Sequence, residues 1–266
     1  RENFIEPLEE TMRKAFPRFA TVNSRRLIAF WMEMLTQPRS LRTDGEKRML
    51  QMFQFTIWQK PFEECGFTSL LNGVMEVRKN LTLCAELLEL LQYNFGRIDF
   101  IDERVEVGFD CPLDLHCDYT RDQILVALDF LKPSTVREGV KYLPDQKIDI
   151  AFVTLNKSDK DYSPSTMYQD YSVGEEFFHW QSQSTTSENS PTGQRYIHHR
   201  EKGTLFLLFV RENKTDRVSG GAGVYTFLGK ANYVQHEGSR PMSILWKLER
   251  PIPVRLQKKT NELVGG

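Results

Sequence analysis

The side chains best suited to binding chemistry lie in residues 168–199, YQDYSVGEEFFHWQSQSTTSENSPTGQRYIHH. This stretch combines six aromatic side chains with amides, hydroxyls, one Arg and three His. Nucleobases stack their faces on aromatic rings and exchange hydrogen bonds with polar side chains through their edges. The composition therefore predicts a site for a flat ligand with polar edges, such as a nucleobase.

Strand geometry predicts which of these residues contact the base. If residues 177–182 form a strand, alternation turns Phe178 and Trp180 to one face, which we expect to be core. Tyrosine rings would stack on the base, and Asp170 would accept a hydrogen bond from an exocyclic amine such as cytosine N4. In the alternative interpretation, the tyrosines pack in the core. The predicted base pocket consists of Tyr168, Asp170, Tyr171, His179, Trp180, Gln181 and Gln183.

Basic residues are concentrated near the C-terminal end. Residues 195–266 contain 13 Lys and Arg against 6 Asp and Glu, whereas residues 118–194 contain 7 against 12. A basic third of the chain suits contact with phosphates, although a solvated face without a partner is the alternative. The predicted contacts to the DNA backbone or groove are Lys157, Ser163, Arg195, Tyr196, His198, Lys230, His236, Ser239, Arg240 and Lys247.

Catalytic and metal-binding signatures are missing from the sequence. It contains no GxxxxGK[ST], GxGxxG, HExxH or GxSxG motif. Glu175 and Glu176 beside His179 could form an acid and base set, but such carboxylates are more often surface charge. His198 and His199, if they lie on a strand, point to opposite faces and cannot share one ion. We therefore expect no catalytic residue, metal ion or cofactor.

Two hydrophobic patterns divide the chain. Apolar residues recur at helical spacing from Asn3 to about Arg97, with breaks at Pro17, residues 37–44, residues 60–61 and Gly73. After Gly108 the pattern changes to short strands with one helix at residues 120–130. Strands are predicted at 149–154, 177–182, 205–212, 225–229 and 243–248, with weaker ones at 140–142 and 233–236. The sequence thus predicts an α+β protein, with a helical bundle in residues 1–110 and a twisted barrel or sandwich in residues 111–266.

No apolar run reaches the roughly 20 residues that span a bilayer, and no signal peptide opens the chain. These features predict a cytoplasmic protein without a membrane partner. Because the chain opens on Arg1 at what looks like a helix start, we expect it to be part of a longer polypeptide. The four cysteines form no CxxC pair, so free, buried thiols are expected.

Several long motifs resemble a known bacterial family. They are CPLDLHCDYTRDQILVAL, REGVKYLPDQKIDIAFVTLNKSDKDYSPSTMYQDY, FHWQSQSTTSENSPTGQRYIHH and YTFLGKANYVQHEGSRPMSILWKLERPIP. Together they resemble the C-terminal domain of bacterial helicase–nuclease fusion proteins, and residues 3–110 resemble the helical connector that precedes it there. The resemblance implies an SRA/PUA-like barrel with one or two helices.

The resemblance also implies a function. Such proteins include type IV restriction endonucleases that cut DNA carrying 5-methylcytosine or 5-hydroxymethylcytosine, and the C-terminal domain is thought to read the modified base by flipping it out. The implied partners are modified double-stranded DNA, upstream helicase and nuclease domains of the same polypeptide, and a possible second copy in a homodimer. This chain itself would not be an enzyme. Two alternatives are a protein-interaction or dimerisation module of a helicase, and a reader of unmodified single-stranded nucleic acid.

Overall fold

The computed structural model describes residues 7–157, 170–216 and 220–261, with side chains described to residue 257 in the last range. The chain divides into two compact units, residues 1–137 and 138–266. Residues 111–137, which the sequence pattern places in the second domain, therefore cluster with the N-terminal helices.

The first unit is helical. It contains α1 (Pro7–Ala20), α2 (Arg25–Thr36), α3 (Asp44–Trp58), α4 (Leu70–Lys79), α5 (Leu81–Gly96) and α6 (Arg121–Ala127), with short 3-10 helices at Phe62–Cys65 and Pro133–Thr135 and a two-residue strand β1 (Asp118–Tyr119). Side-chain caps define several helix starts: the Ser24 hydroxyl accepts from the Leu27 N–H, and the Asn80 amide oxygen accepts from the Leu83 N–H. Trp31 is fully buried in the core of this bundle, as its helical spacing predicts.

Two of the predicted helix breaks are wrong. Pro17 lies in the last turn of α1, and the helix continues to Ala20 although the proline has no N–H to donate. Gly73 lies inside α4, where a Cβ atom would come within 2.9 Å of both Gln54 Oε1 and Trp58 Cζ3. Its lack of a side chain therefore allows α4 to approach α3 closely.

The second unit is a mixed sheet with helices. Its elements are β2 (Val140–Leu143), β3 (Ile148–Asn156), β4 (Tyr171–Val173), β5 (Phe177–Gln181), α7 (Pro191–Ile197), α8 (His199–Lys202), β6 (Leu205–Asn213), β7 (Tyr225–Glu237), β8 (Ser243–Leu248) and α9 (Val254–Asn261). The strand order is β2-β3-β6-β7-β8-β5-β4. All neighbours in this order are antiparallel except β3 and β6, which are parallel. The predicted α+β class is confirmed, whereas a closed barrel is not shown.

Phe152, Phe209 and Phe227 are buried on one face of the sheet, and a second hydrophobic core lies on the opposite face. Alternate residues of β3, β5, β6 and β8 contribute to it, together with Tyr196 from α7. Its aromatic centre includes Phe206 stacked on Trp246, with ring centroids 3.8 Å apart. Trp180 and Tyr196 pack edge to face beside this pair.

The interpretation of His198 and His199 as strand residues is wrong, because they lie where α7 ends and α8 begins. The start of α7 follows an ordinary rule: the Ser190 hydroxyl accepts from the Gly193 N–H at 3.1 Å, and Pro191 occupies the first helical turn. This Ser-Pro signal was present in the sequence.

None of the helices in the described parts of the chain is long and apolar enough to cross a membrane. The four cysteines are free thiols, and Cys84, Cys111 and Cys117 are buried as expected, while Cys65 is half-buried. Burial raises the pKa of the Cys111 thiol to about 12, so it stays protonated and unreactive at neutral pH.

Candidate nucleic-acid interface

The strand β5 presents two different faces. Phe178 and Trp180 are buried, whereas Phe177, His179 and Gln181 are half-buried on the opposite side. The predicted alternation is therefore confirmed. Because β5 lies between β4 and β8, their outward residues extend the same surface. We call this surface the outer face, formed by Tyr171, Val173, Phe177, His179, Gln181, Ser243, Leu245 and Lys247.

At the centre of the outer face, two rings lie parallel. Tyr171 of β4 and His179 of β5 are direct cross-strand partners. Their ring centroids are 4.6 Å apart with an interplanar angle of 13°. Both residues are half-buried. The pairing therefore forms a short stack of two rings, here called the platform, that remains partly exposed to solvent.

Polar and basic groups flank this platform. The Gln181 amide donates from Nε2 to Ser243 Oγ at 3.2 Å, which orients the amide across two strands. On the other side, the Lys247 ammonium lies 5.8 Å from the centroid of the Phe177 ring and 3.9 Å from a Glu176 oxygen. The Lys247 side chain is 53% exposed, so this contact leaves its charge available to a ligand.

Asp170 occupies a different setting from the predicted one. One of its carboxylate oxygens accepts from Lys157 Nζ at 2.7 Å, and the other accepts from the Gln181 backbone N–H at 2.9 Å. The Asp170 and Lys157 side chains are only 4% and 9% exposed. Burial raises the pKa of the Asp170 carboxyl, and the Lys157 ammonium opposes that shift. The pair fixes the chain entering β4 to the end of β5, and Asp170 therefore positions the platform rather than facing a base.

Two further predicted contact residues lie in the core. Trp180 is 4% exposed and Tyr196 is 3% exposed. Their rings pack against each other and against Phe206 and Trp246. This burial corrects two predictions, which placed Trp180 in the base pocket and Tyr196 on the DNA surface. Neither ring offers a surface to a ligand.

Arg195 is held by two neighbours. Its Nε and Nη2 donate to the two carboxylate oxygens of Asp149 at 2.7 and 2.9 Å, and its guanidinium carbon lies 3.7 Å from the centroid of the Tyr142 ring. The arginine is 15% exposed, so the ion pair and the stacking contact restrain it at the surface.

The remaining basic predictions are dispersed. Lys230 pairs with Glu249 at 3.3 Å, and His198 Nδ1 lies 3.5 Å from a Glu201 oxygen. Arg240 is exposed in the turn between β7 and β8, where its backbone N–H donates to the Thr186 carbonyl. Ser239 is exposed beside it, and Gln183 is half-buried before α7. Tyr168 and Ser163 lie outside the described residues.

His236 belongs to a hydrogen-bonded chain. Its Nδ1 lies 2.6 Å from the Tyr233 hydroxyl, and its Nε2 lies 3.1 Å from a Glu188 oxygen. Because a carboxylate can only accept, Nε2–H donates to Glu188, and the tautomer with its proton on Nε2 accepts from the Tyr233 hydroxyl at Nδ1. The chain ties β7 to the segment before α7, and no described contact of His236 faces the platform.

Sequence reasoning missed one structurally important histidine. His199 is 4% exposed, with Nδ1 3.2 Å from the Thr204 carbonyl and Nε2 accepting from the Tyr233 N–H at 3.1 Å. These partners require a neutral ring with its proton on Nδ1, and burial accordingly lowers the His199 pKa. Only the tertiary structure brings these partners together, so the sequence contained no signal for this role.

No curated protein matches the chain. A family model described as a domain of unknown function, DUF3427, matches residues 113–259, which is more than half of the 266 residues. That range includes every residue of the outer face and both residues of the Asp170–Lys157 pair. The chain therefore belongs to the DUF3427 family.

Proposed function

We propose that this chain is the target-recognition module of a methylation-dependent restriction system and reads 5-methylcytosine or 5-hydroxymethylcytosine in DNA. The observation that carries the proposal is the solvent-contacting Tyr171–His179 stack, flanked by the Gln181 amide. Aromatic platforms beside oriented amides are the usual means by which proteins hold an unstacked base. The same proposal includes an SRA/PUA-like barrel as the fold of the second unit and the bacterial cytoplasm as the location of the protein.

In this mechanism the protein extrudes one cytosine from the duplex. The flipped ring stacks on the Tyr171–His179 platform, and the Gln181 amide exchanges hydrogen bonds with its polar edge. Lys247 lies at the border of the outer face and contacts a backbone phosphate. Stacking, at about 1–3 kcal/mol per base, offsets part of the few kcal/mol needed to unstack the cytosine.

Discrimination of the modified base needs a small apolar recess for its methyl group. Burial of one methyl contributes only about 1 kcal/mol. We therefore expect a preference of roughly fivefold per modified base over plain cytosine. Engagement of two sites, through a homodimer or a doubly modified duplex, would increase this preference. Recognition is the task of this chain, and cleavage and ATP hydrolysis are assigned to helicase and nuclease domains upstream.

A binding titration tests the proposal. The 266-residue chain is titrated with one duplex in its unmodified, 5-methylcytosine and 5-hydroxymethylcytosine forms, and with the corresponding single strand, at two salt concentrations. Tighter binding to a modified duplex is expected at both salt concentrations. Equal affinity for all duplexes would overturn the proposal. Binding to none would instead favour a protein-interaction module, and preference for the single strand would favour a reader of unmodified single strands.

A further inference from the structure

A second surface of the same unit has the chemistry of an anion site. It is a shallow depression of about 290 Å³ lined by Tyr142, Pro144, Lys147, Pro191, Arg195, Lys202 and Thr204. Three of these seven residues are cationic. We call this surface the basic depression.

The basic depression and the outer face lie on opposite sides of the sheet. Ala151 and Val153 of β3 point into the same core as Trp180, so Asp149, two residues before Ala151, also lies on the core side. Arg195 pairs with Asp149 from α7, which packs on that side. The outer face is defined by the opposite residues of β5. A ligand in the basic depression is therefore separate from a base on the Tyr171–His179 platform.

Arg195 supplies a pre-oriented group. Asp149 engages its Nε and Nη2, and the Tyr142 ring covers one face of the guanidinium. Its Nη1 makes no hydrogen bond to any residue that the structure describes. Because the ion pair and the ring fix the plane of the guanidinium, this free edge can donate to an anion at little cost in side-chain entropy.

Two lysines complete the cationic lining. Lys147 and Lys202 are exposed, and neither ammonium forms a salt bridge or hydrogen bond within residues 7–157, 170–216 and 220–257. Their backbones are fixed: the Lys147 carbonyl accepts from the Leu205 N–H, and the Lys202 N–H donates to the His198 carbonyl. Both side chains therefore extend from ordered positions.

Few carboxylates oppose these charges. Asp149 neutralises one of the three cations. Glu201 lies next to Lys202 in sequence but has His198 as its nearest described partner, at 3.5 Å. Asp145 is exposed in the turn that precedes Lys147. The residues that line the depression itself include no acidic side chain, so the local field favours an anion.

We propose that the basic depression binds phosphate groups, with Lys147 and Lys202 as charge partners and Arg195 as a directed hydrogen-bond donor. As a contact to a nucleic-acid backbone the site extends the proposed function, because it holds a stretch of strand remote from the extruded base. The same chemistry accommodates a free phosphate-bearing molecule.

The test uses the 266-residue chain and its Lys147→Gln/Lys202→Gln variant, which leaves the Arg195–Asp149 pair intact. The matched control is Lys60→Gln/Lys132→Gln, which removes two exposed lysines from the first unit. One arm measures affinity for an unmodified and a methylated duplex across a salt series. The other arm measures the increase in melting temperature caused by pyrophosphate.

For a nucleic-acid site, Lys147→Gln/Lys202→Gln should bind both duplexes more weakly than the control variant does. The dependence of affinity on salt should become shallower. The magnitude of the slope of log affinity against log salt should fall by up to about 2, since each phosphate contact contributes about 0.9. The ratio of affinities for methylated and unmethylated DNA should stay at the wild-type value.

For a site that takes a free phosphate-bearing molecule, the variant should lose the stabilisation by pyrophosphate and keep its duplex affinity. Behaviour identical to the control in both arms would overturn the inference. If the wild-type chain binds the methylated and the unmethylated duplex with equal affinity, only the proposed function is overturned. The two failures are therefore distinguishable.

Discussion

His179 lies flat against Tyr171, with 4.6 Å between the ring centroids and 13° between the ring planes. The two rings belong to adjacent antiparallel strands and face each other directly in the register. This relationship converts two isolated side chains into one platform, because each ring restricts the rotation of the other.

Removal of the Tyr171 ring should weaken recognition of the modified base. Tyr171→Ala should weaken binding to a methylated duplex by roughly 5- to 150-fold, which corresponds to about 1–3 kcal/mol of stacking. Tyr171→Phe should bind almost as the wild type does, because it keeps the ring. The dissociation constants of both variants are measured with methylated and unmethylated duplexes.

Val173→Ala is the matched control, since Val173 is an exposed residue on the same strand and the same side. If Tyr171→Ala binds methylated DNA as tightly as Val173→Ala does, the platform is not the recognition surface.

Loss of one charge of the Lys157–Asp170 pair should destabilise the second unit more than loss of both charges. Asp170→Ala leaves a buried ammonium without its partner and should reduce the free energy of unfolding by about 3 kcal/mol. Lys157→Met/Asp170→Leu removes both charges and should lose much less. Urea unfolding of the three proteins provides the comparison. Equal losses for the single and the double variant would show that the pair itself contributes little.

His199 should make stability depend on pH. Burial lowers its folded pKa below the ordinary histidine value of 6.5, so below pH 6.5 the unfolded chain binds a proton that the folded protein excludes. Stability should therefore decrease as pH falls from 6.5 towards the folded pKa, by up to about 1.4 kcal/mol per pH unit. Urea unfolding at several pH values measures this slope.

His199→Asn cannot titrate, so the contribution of His199 is the difference in slope between the wild type and this variant. The other four histidines remain in both proteins. Parallel pH profiles for the two proteins would contradict the prediction.

Gly193 should tolerate no side chain. A Cβ atom there would lie 2.0 Å from the Ser187 carbonyl oxygen, which is a backbone atom and cannot rotate away. Gly193→Ala should therefore destabilise the protein by at least about 2 kcal/mol through forced backbone movement. The comparison is Gly174→Ala, where φ is +73° and no atom lies within 4 Å.

Gly174→Ala should cost about 1 kcal/mol through its left-handed backbone alone. Melting temperatures rank the two variants, and a smaller loss for Gly193→Ala than for Gly174→Ala would contradict the steric argument.

Much of the second unit could be predicted from local sequence patterns. The strand at Ser243–Leu248 matches its predicted bounds, and the strands at Ile148–Asn156 and Leu205–Asn213 extend their predictions by one or two residues. These strands are rich in β-branched and aromatic residues, and that property is local. Strand β7 is a single long strand rather than the two predicted at 225–229 and 233–236, because pairing with β6 and β8 continues through Lys230, Ala231 and Asn232.

The pairing partners could not be predicted from such patterns. Parallel pairing of β3 with β6 depends on a crossover that includes α7 and α8, and both helices are too short to show a clear helical period. The same limit applies to the site. The sequence predicted the outward positions of His179 and Gln181, whereas the burial of Asp170 against Lys157 is a tertiary contact 13 residues apart.

The parallel contact between β3 and β6 also influences how the protein reaches its native state. Ile148 pairs with Leu205, and the chain between them contains β4, β5, α7 and α8. Closing so long an excursion costs chain entropy before any of these hydrogen bonds can form. We therefore expect the middle of the sheet to assemble late and slowly, leaving the apolar edges of β3 and β6 exposed during synthesis. The unit should consequently depend on chaperones, or on low concentration, more than the helical unit does.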